Sequence, residues 1–130
     1  MEFLLLLTMI FTHIFADFNL QSIGAPLHEM KTQEWWEKQT DDKVYKNDYM
    51  VCLFAHSFEW TFIMMLPILL FNKFNVNEYV YSIVIIINTY IHMMIDNEKA
   101  NNKSINLIND QLLHFIQIFA TWGFFAYGGF

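Results

Sequence analysis

The residues best suited to chemistry in this sequence are histidines that recur beside acidic and amide side chains at helical spacing. Side chains three or four positions apart lie on one face of an α-helix, so each group predicts a polar stripe. Imidazole nitrogen and carboxylate oxygen are ligands that zinc, manganese and iron accept, and the pattern therefore predicts a metal centre. The four groups are His13, Asp17 and Gln21; Cys52, His56 and Glu59; Asn88, His92 and Asp96; and Asp110, His114 and Gln117.

The expected centre holds one or two divalent ions, which are zinc, manganese or iron. Its expected ligands are His13, Asp17, His56, His92, Asp96 and His114. An open coordination position would hold a water and lower its pKa, which yields a hydroxide nucleophile. Asp110 is expected to be a further ligand or the general base. The groups expected to orient a ligand or take a proton are Glu59, Gln21 and Gln111.

Four apolar segments carry these residues and account for much of the 55% hydrophobic composition. Each is close to the roughly 20 residues that an α-helix needs to cross a membrane. The spans are expected at about 3–23, 50–71, 79–95 and 105–127. The first has no basic leading region and no small-residue cleavage pattern, so we expect it to be retained. The sequence predicts an all-α, integral membrane four-helix bundle, with residues 1–130 forming a single domain.

The link between the first two spans, residues 24–49, contains Trp35, Trp36 and Tyr45 beside several lysines. Tryptophan next to lysine fits a short helix that lies as an interfacial segment in the headgroup region. A solvated loop is the other interpretation. Six of the seven lysines flank the first and third links, and only Lys73 flanks the second. The positive-inside rule therefore places the first and third links in the cytoplasm and both termini away from it.

This orientation also sets the depth of the polar groups. They lie in the last turns of spans one and three and in the first turns of spans two and four. Because consecutive spans run in opposite directions, all four groups are expected in the cytoplasmic half of the membrane.

Composition narrows the class of protein further. The net charge of −6 disfavours nucleic acid as a partner, because phosphate binding needs a basic surface. The single cysteine, Cys52, excludes an internal disulfide. The absence of arginine and the eleven asparagines indicate the AT-rich coding sequence of a low-GC bacterium or its phage. We therefore expect a multi-pass membrane protein of a bacterium or its phage.

The sequence resembles a family of small integral membrane proteins catalogued as domain of unknown function 3307, over about residues 5–118. The motifs that carry the resemblance are H-x-x-A-D-F-x-L-Q from His13 to Gln21 and D-Q-x-x-H from Asp110 to His114, with Lys31, His56, His92, Asp96 and Lys99 between them. The resemblance implies a small bacterial or phage inner-membrane protein and carries no assigned activity. A more distant similarity to proteins named membrane-bound metal-dependent hydrolases is analogy only.

Three functions fit these observations. The leading hypothesis is a metal-dependent hydrolase that cuts an ester or phosphoester of a lipid or lipid-linked substrate from the cytoplasmic leaflet. The second is a proton or ion carrier in which the same histidines and carboxylates form a relay. The third is a bacterial or phage membrane interaction protein with a structural metal. The expected partners are membrane lipid and either another membrane protein or further copies of the chain.

Overall fold

The computed structural model describes residues 1–20, 25–40, 43–73 and 75–128, which form helices and turns but no strand. Its six α-helices are α1 (Glu2–Ile14), α2 (Ala25–Met30), α3 (Gln33–Gln39), α4 (Asp48–Phe71), α5 (Glu78–Ala100) and α6 (Leu107–Tyr127). A π-helical turn, Phe15–Leu20, prolongs α1, and a 3-10 turn, Lys43–Tyr45, precedes α4.

Polar side chains determine where two of these helices begin. The side chain of Asn77 accepts hydrogen bonds from the backbone N–H groups of Tyr79 and Val80 at the start of α5. The side chain of Thr32 accepts one from the N–H of Trp35 at the start of α3. Such caps contribute about 1 kcal/mol each by satisfying N–H groups that have no partner within the helix.

The four long helices contact one another in a closed ring, in the order α1, α4, α5, α6 and back to α1. We call this arrangement the helix ring. Its apolar core is formed by large side chains with at most 1% exposure: Met9, Trp60, Met64, Met65, Ile68 and Ile118. The short helices α2 and α3 both contact α4, so the link between α1 and α4 packs against the ring.

The prediction of a four-helix bundle is wrong, because the described residues form six α-helices. The additional helices, α2 and α3, lie in the link for which the sequence predicts either a short interfacial segment or a loop. The cap at Thr32 and the following helix-forming residues explain why α3 forms there.

Three helical stretches are long and apolar enough to cross a membrane: Glu2–Leu20, Lys43–Phe71 and Glu78–Ala100. Within the described ranges, the 21-residue helix α6 is not one of them. Its polar residues at positions 109–111, 114 and 117 lower its hydropathy. Three of the four predicted spans therefore have the length and composition expected of them.

Large apolar side chains cover the outer faces of the long helices. Phe3, Val51, Ile86 and Ile108 are each 68–70% exposed. Extended apolar surface is rare on soluble monomers and marks contact with lipid or with another protein. The outer surface is thus typical of a membrane-associated protein.

Candidate metal centre

The helix ring brings the predicted polar residues together at one of its ends, where α1 and α5 end and α4 and α6 begin. We call the following residues the His–Asp cluster: His13, Asp17, His56, His92, Asp96, Asp110 and His114. All seven are buried, and His13, His92 and His114 have no exposed surface. Helix spacing and chain direction alone predict this convergence.

Asp96 lies at the centre of the His–Asp cluster, and its two carboxylate oxygens contact different partners. Oδ1 is 3.4 Å from His114 Nε2 and 3.7 Å from His92 Nε2. Oδ2 is 3.3 Å from His56 Nε2 and accepts a hydrogen bond from Lys31 Nζ at 2.6 Å. Imidazoles from α4, α5 and α6 therefore meet around one carboxylate.

These imidazoles lack hydrogen-bond partners among the described residues. The unpartnered nitrogens are His56 Nε2 and both ring nitrogens of His92 and of His114. The three Nε2 atoms lie 3.3–3.7 Å from the Asp96 carboxylate oxygens, but these contacts do not have hydrogen-bond geometry. An unsatisfied buried polar atom costs about 1–3 kcal/mol, so this arrangement favours a further group that the nitrogens could bind.

The separations between these atoms fit a bound metal ion. Ligands about 2.1 Å from a tetrahedral zinc ion lie about 3.4 Å from one another. The ligand atoms of His92, Asp96 and His114 all lie within 4.8 Å of one another, as do those of Asp17, His56 and His92. Both sets contain His92. Small side-chain adjustments would therefore bring either set to coordination distance.

His13 differs from the other three histidines because its ring nitrogens are already occupied. Trp60 Nε1 donates a hydrogen bond to His13 Nδ1 at 3.0 Å. Nδ1 therefore carries no proton, and His13 Nε2 donates to Gln111 Oε1 at 3.1 Å. In this geometry His13 positions Gln111 and offers no free nitrogen to a metal.

Gln111 connects the first long helix to the last. Its Nε2 donates to Asp17 Oδ2 and to Asp110 Oδ2, each at 3.0 Å. Lys99 Nζ donates to the same Asp110 oxygen at 2.7 Å. Asp110 Oδ1 has no hydrogen-bond partner in the described part of the chain and lies 3.4 Å from His114 Nε2. The orienting role predicted for Gln111 thus has a geometric basis, and Asp110 keeps one oxygen for a proton or a metal.

Lys31 reaches the cluster from the link and is only 5% exposed. Asn101, just beyond α5, holds the backbone on either side of Thr32. Its Nδ2 donates to Lys31 O at 3.2 Å, and its Oδ1 accepts from Gln33 N at 2.7 Å. These bonds fasten the link across the end of the helix ring. Sequence reasoning placed Lys31 in the family motif but gave it no role in the site.

The charges at the site favour one divalent ion over two. Asp17, Asp96 and Asp110 contribute −3, and the paired Lys31 and Lys99 contribute +2, which leaves −1 when the imidazoles are neutral. One divalent ion changes this sum to +1, and two change it to +3. Because uncompensated buried charge is costly, the single ion is the better fit.

Trp60 belongs to the site but was missed by sequence reasoning. Its ring stacks on that of His92, with centroids 4.0 Å apart and planes inclined by 15°. It follows His56 by four residues, which was the signal that could have found it. Glu59, expected at the site, is exposed near the middle of α4, because one residue turns a helix by about 100°. Gln21 lies outside the described residues.

Fold and site together define an all-α protein with three membrane-length helices and a buried His–Asp cluster. A family model described as "Protein of unknown function (DUF3307)" matches residues 5–128. The chain belongs to this family, so the predicted resemblance is confirmed, and the match contains the whole His–Asp cluster. No curated protein and no solved structure matches the chain significantly.

Proposed function

We propose that the chain is an integral membrane protein that binds one divalent metal ion with His56, His92, Asp96 and His114. One observation carries the proposal: buried, unpartnered nitrogens of the three histidines surround the Asp96 carboxylate. Coordination would satisfy one nitrogen of each ring. The mixture of imidazole and carboxylate suits zinc, manganese or iron.

The proposed location is the bacterial inner membrane, with the His–Asp cluster near the cytoplasmic leaflet. Three membrane-length helical stretches support the membrane assignment, and the six lysines around the first and third links support the orientation. Since α6 packs along α1 and α5, both termini would lie on the far side. The tryptophans of α3 would then lie at headgroup level.

The proposed reaction is hydrolysis of an ester or phosphoester in a lipid or lipid-linked substrate. When bound, a divalent ion supplies Lewis acidity, which polarises a carbonyl or phosphoryl oxygen and makes water more acidic. Asp110 is the proposed proton acceptor, because its Oδ1 is unpartnered while Lys99 and Gln111 hold Oδ2. Lys31 and Lys99 would stabilise negative charge that develops beside them.

Metal analysis of the purified protein tests the binding proposal. We expect about one ion per chain in the wild type, and its loss in His92→Ala and His114→Ala. His28→Ala, which changes a histidine of the link that lies outside the His–Asp cluster, is the matched control and should retain the ion. Folded wild-type protein that takes up no stoichiometric zinc, manganese or ferrous iron would overturn the proposal.

Hydrolysis is tested separately on the metal-loaded protein, with a fluorogenic carboxylic ester and a fluorogenic phosphodiester in detergent micelles. Asp110→Asn should retain the metal and lower the rate by about 100- to 10,000-fold, as expected for loss of a general base. An Asp110→Asn protein with the wild-type rate would exclude Asp110 as the base. Metal binding without turnover of either ester class would count against the hydrolase.

A proton or ion carrier is the second candidate, because unpartnered polar atoms continue beyond the cluster. Thr61 Oγ1, Thr89 Oγ1 and Gln117 Oε1 are buried without a hydrogen-bond partner in the described ranges. Thr89 lies one helical turn from His92, towards the opposite end of the ring. Dissipation of a pH gradient in proteoliposomes, abolished by His92→Ala, would favour the carrier over the hydrolase.

A further inference from the structure

A groove of about 560 Å³ runs along the outer surface between α5 and α6. Its walls are aliphatic: Ile87, Ile91 and Ile116 are 51%, 41% and 63% exposed. Ala120 lies on the α6 side, where its small side chain leaves the groove open. Because α5 is one of the membrane-length helices, the medium that fills this groove in a bilayer is hydrocarbon.

The floor of the groove is polar, but most of its hydrogen bonds are made within the protein. Asn88 Oδ1 accepts from Gln117 Nε2 at 2.8 Å and from Thr121 Oγ1 at 3.1 Å. Asn88 Nδ2 donates to the backbone oxygen of Val84 at 3.0 Å. These bonds join α5 to α6 beneath the groove, so the polar floor does not prevent a hydrocarbon chain from lying above it.

One end of the groove carries a lysine that is ion-paired with Asp110. Ile91 and Ile95 line the groove, and Lys99 continues their row at the same spacing of four residues. The Lys99 side chain is 38% exposed, while its Nζ donates to Asp110 Oδ2 at 2.7 Å. An ammonium group has three N–H donors, and within the described residues one of them bonds to Asp110, so Lys99 keeps donors one helical turn beyond the apolar walls. An amphiphile with an anionic head complements this arrangement.

We propose that the groove binds one hydrocarbon chain of an anionic lipid whose headgroup lies against Lys99. From Val80 to Ile95, α5 rises about 22 Å, which exceeds the roughly 15 Å of hydrocarbon in one leaflet. A chain in the groove therefore has apolar contact along its whole length. The lysine end is also the end at which the His–Asp cluster lies, so headgroup and cluster share one side of the membrane.

This lipid site deepens the proposed function and rests on it in one respect. If the metal centre is a hydrolase, the lipid bound in the groove is its substrate. Asp110 contacts both Lys99 and His114, so a headgroup at Lys99 stands beside the proposed proton acceptor. The bond to be cut is accordingly near the headgroup, and the groove selects for the chain.

Native mass spectrometry of the full chain in a neutral maltoside detergent tests the site. The probes are phosphatidylglycerol and phosphatidylcholine with identical acyl chains. Phosphatidylglycerol should bind about fivefold more tightly, which is the contribution of one lysine beside an anionic headgroup. Lys99→Gln should remove this preference.

Two matched alanine substitutions separate the groove from the general lipid-facing surface. Ala120→Leu places a larger side chain in the groove and should weaken binding of both lipids by about tenfold. Ala55→Leu makes the same change on the exposed face of α4, away from the groove, and should leave binding unchanged. Equal binding of the two lipids by the wild type, or unchanged binding in Ala120→Leu, would overturn the lipid site.

The metal content of the same samples distinguishes the two proposals. Selective lipid binding without metal supports the groove and overturns the metal centre. Bound metal together with unselective lipid binding supports the metal centre and overturns the groove. A wild-type dimer that Ala120→Leu converts to a monomer would show that a second copy covers the groove, and this result also overturns the lipid site.

Discussion

The indole of Trp60 lies flat against the imidazole of His92, while its Nε1 donates a hydrogen bond to His13 Nδ1. One side chain thus fixes two histidines in different ways. The hydrogen bond sets the tautomer of His13, and the stacking sets the ring plane of His92. The two halves of the chain, which share the spacing His-x-x-x-Asp, therefore give their histidines different roles.

Trp60→Phe should keep an aromatic ring against His92 and lose the hydrogen bond to His13. Because His13 Nδ1 would then be buried without a partner, we expect a loss of about 1–3 kcal/mol in the free energy of unfolding. Denaturant unfolding in detergent micelles measures it. Trp36→Phe, which removes a bond from a half-buried indole to Met30 O, is the control with a smaller expected loss. Equal losses in the two variants would contradict a special role for Trp60.

His13→Gln and His92→Gln should differ in metal content. Both ring nitrogens of His13 are occupied by Trp60 and Gln111, so His13→Gln should retain the ion and lose stability. His92 has two unpartnered nitrogens, so His92→Gln should lose the ion. Metal analysis of the two folded proteins decides the matter, and loss of the ion from both would restore His13 as a ligand.

Lys31→Met should destabilise the metal-free protein more than the metal-loaded one. Removing one partner of a buried ion pair leaves the other charge uncompensated, at a cost of about 3–5 kcal/mol. A divalent ion on Asp96 would take over that compensation. Lys38→Met breaks an exposed pair with Glu34 and should leave the free energy of unfolding nearly unchanged, because solvent screens the pair. Unfolding with and without zinc provides the measurement, and a zinc-independent loss would refute the argument.

The packing of α2 and α3 against the helix ring should weaken as the pH falls. The pKa of His28 is lowered, first by its burial and next by the charge of Lys31. Because the pKa of His28 is depressed in the folded state, neutral His28 favours this packing at pH values above the ordinary histidine pKa of about 6.5. The stabilisation is lost as the pH falls below that value. Hydrogen exchange of α2 and α3 should therefore accelerate, after correction for intrinsic rates, between neutral and mildly acidic pH. His28→Gln should flatten this dependence, and an unchanged profile in that variant would assign it to other groups.

Sequence periodicity predicted which residues form the site, but it did not predict their detailed contacts. Spacing of four residues placed His92 with Asp96 on one face, and the antiparallel order of the helices placed Asp110 and His114 beside them. The same rule could not decide between Glu59 and Trp60, since both lie within one turn of His56. Burial in the structure distinguishes the two residues. The buried face of α4 contains Leu53, His56, Ser57, Trp60 and Thr61, and Glu59 lies outside this face.

Two further features had no periodic signal. The π-helical turn after α1 changes the rotation per residue at Asp17, which nevertheless stays buried. Lys31 enters the site from a link whose polar sequence permits many conformations. Its position depends on contacts with Asp96 and Asn101, which are 65 and 70 residues away along the chain. Such contacts arise from tertiary packing and cannot be read from local sequence.

The wide separation in sequence of these contacts has a consequence for biogenesis. Gln111 and His13 are 98 residues apart, so the hydrogen bond between them can form only after α6 has left the ribosome. Until then Asp17 lacks its partner Gln111 and remains near the aqueous boundary, where it can stay hydrated. Closure of the site is therefore the last step of assembly. A quality-control protease that recognises hydrated charge at the membrane surface would distinguish finished chains from unfinished ones by this step.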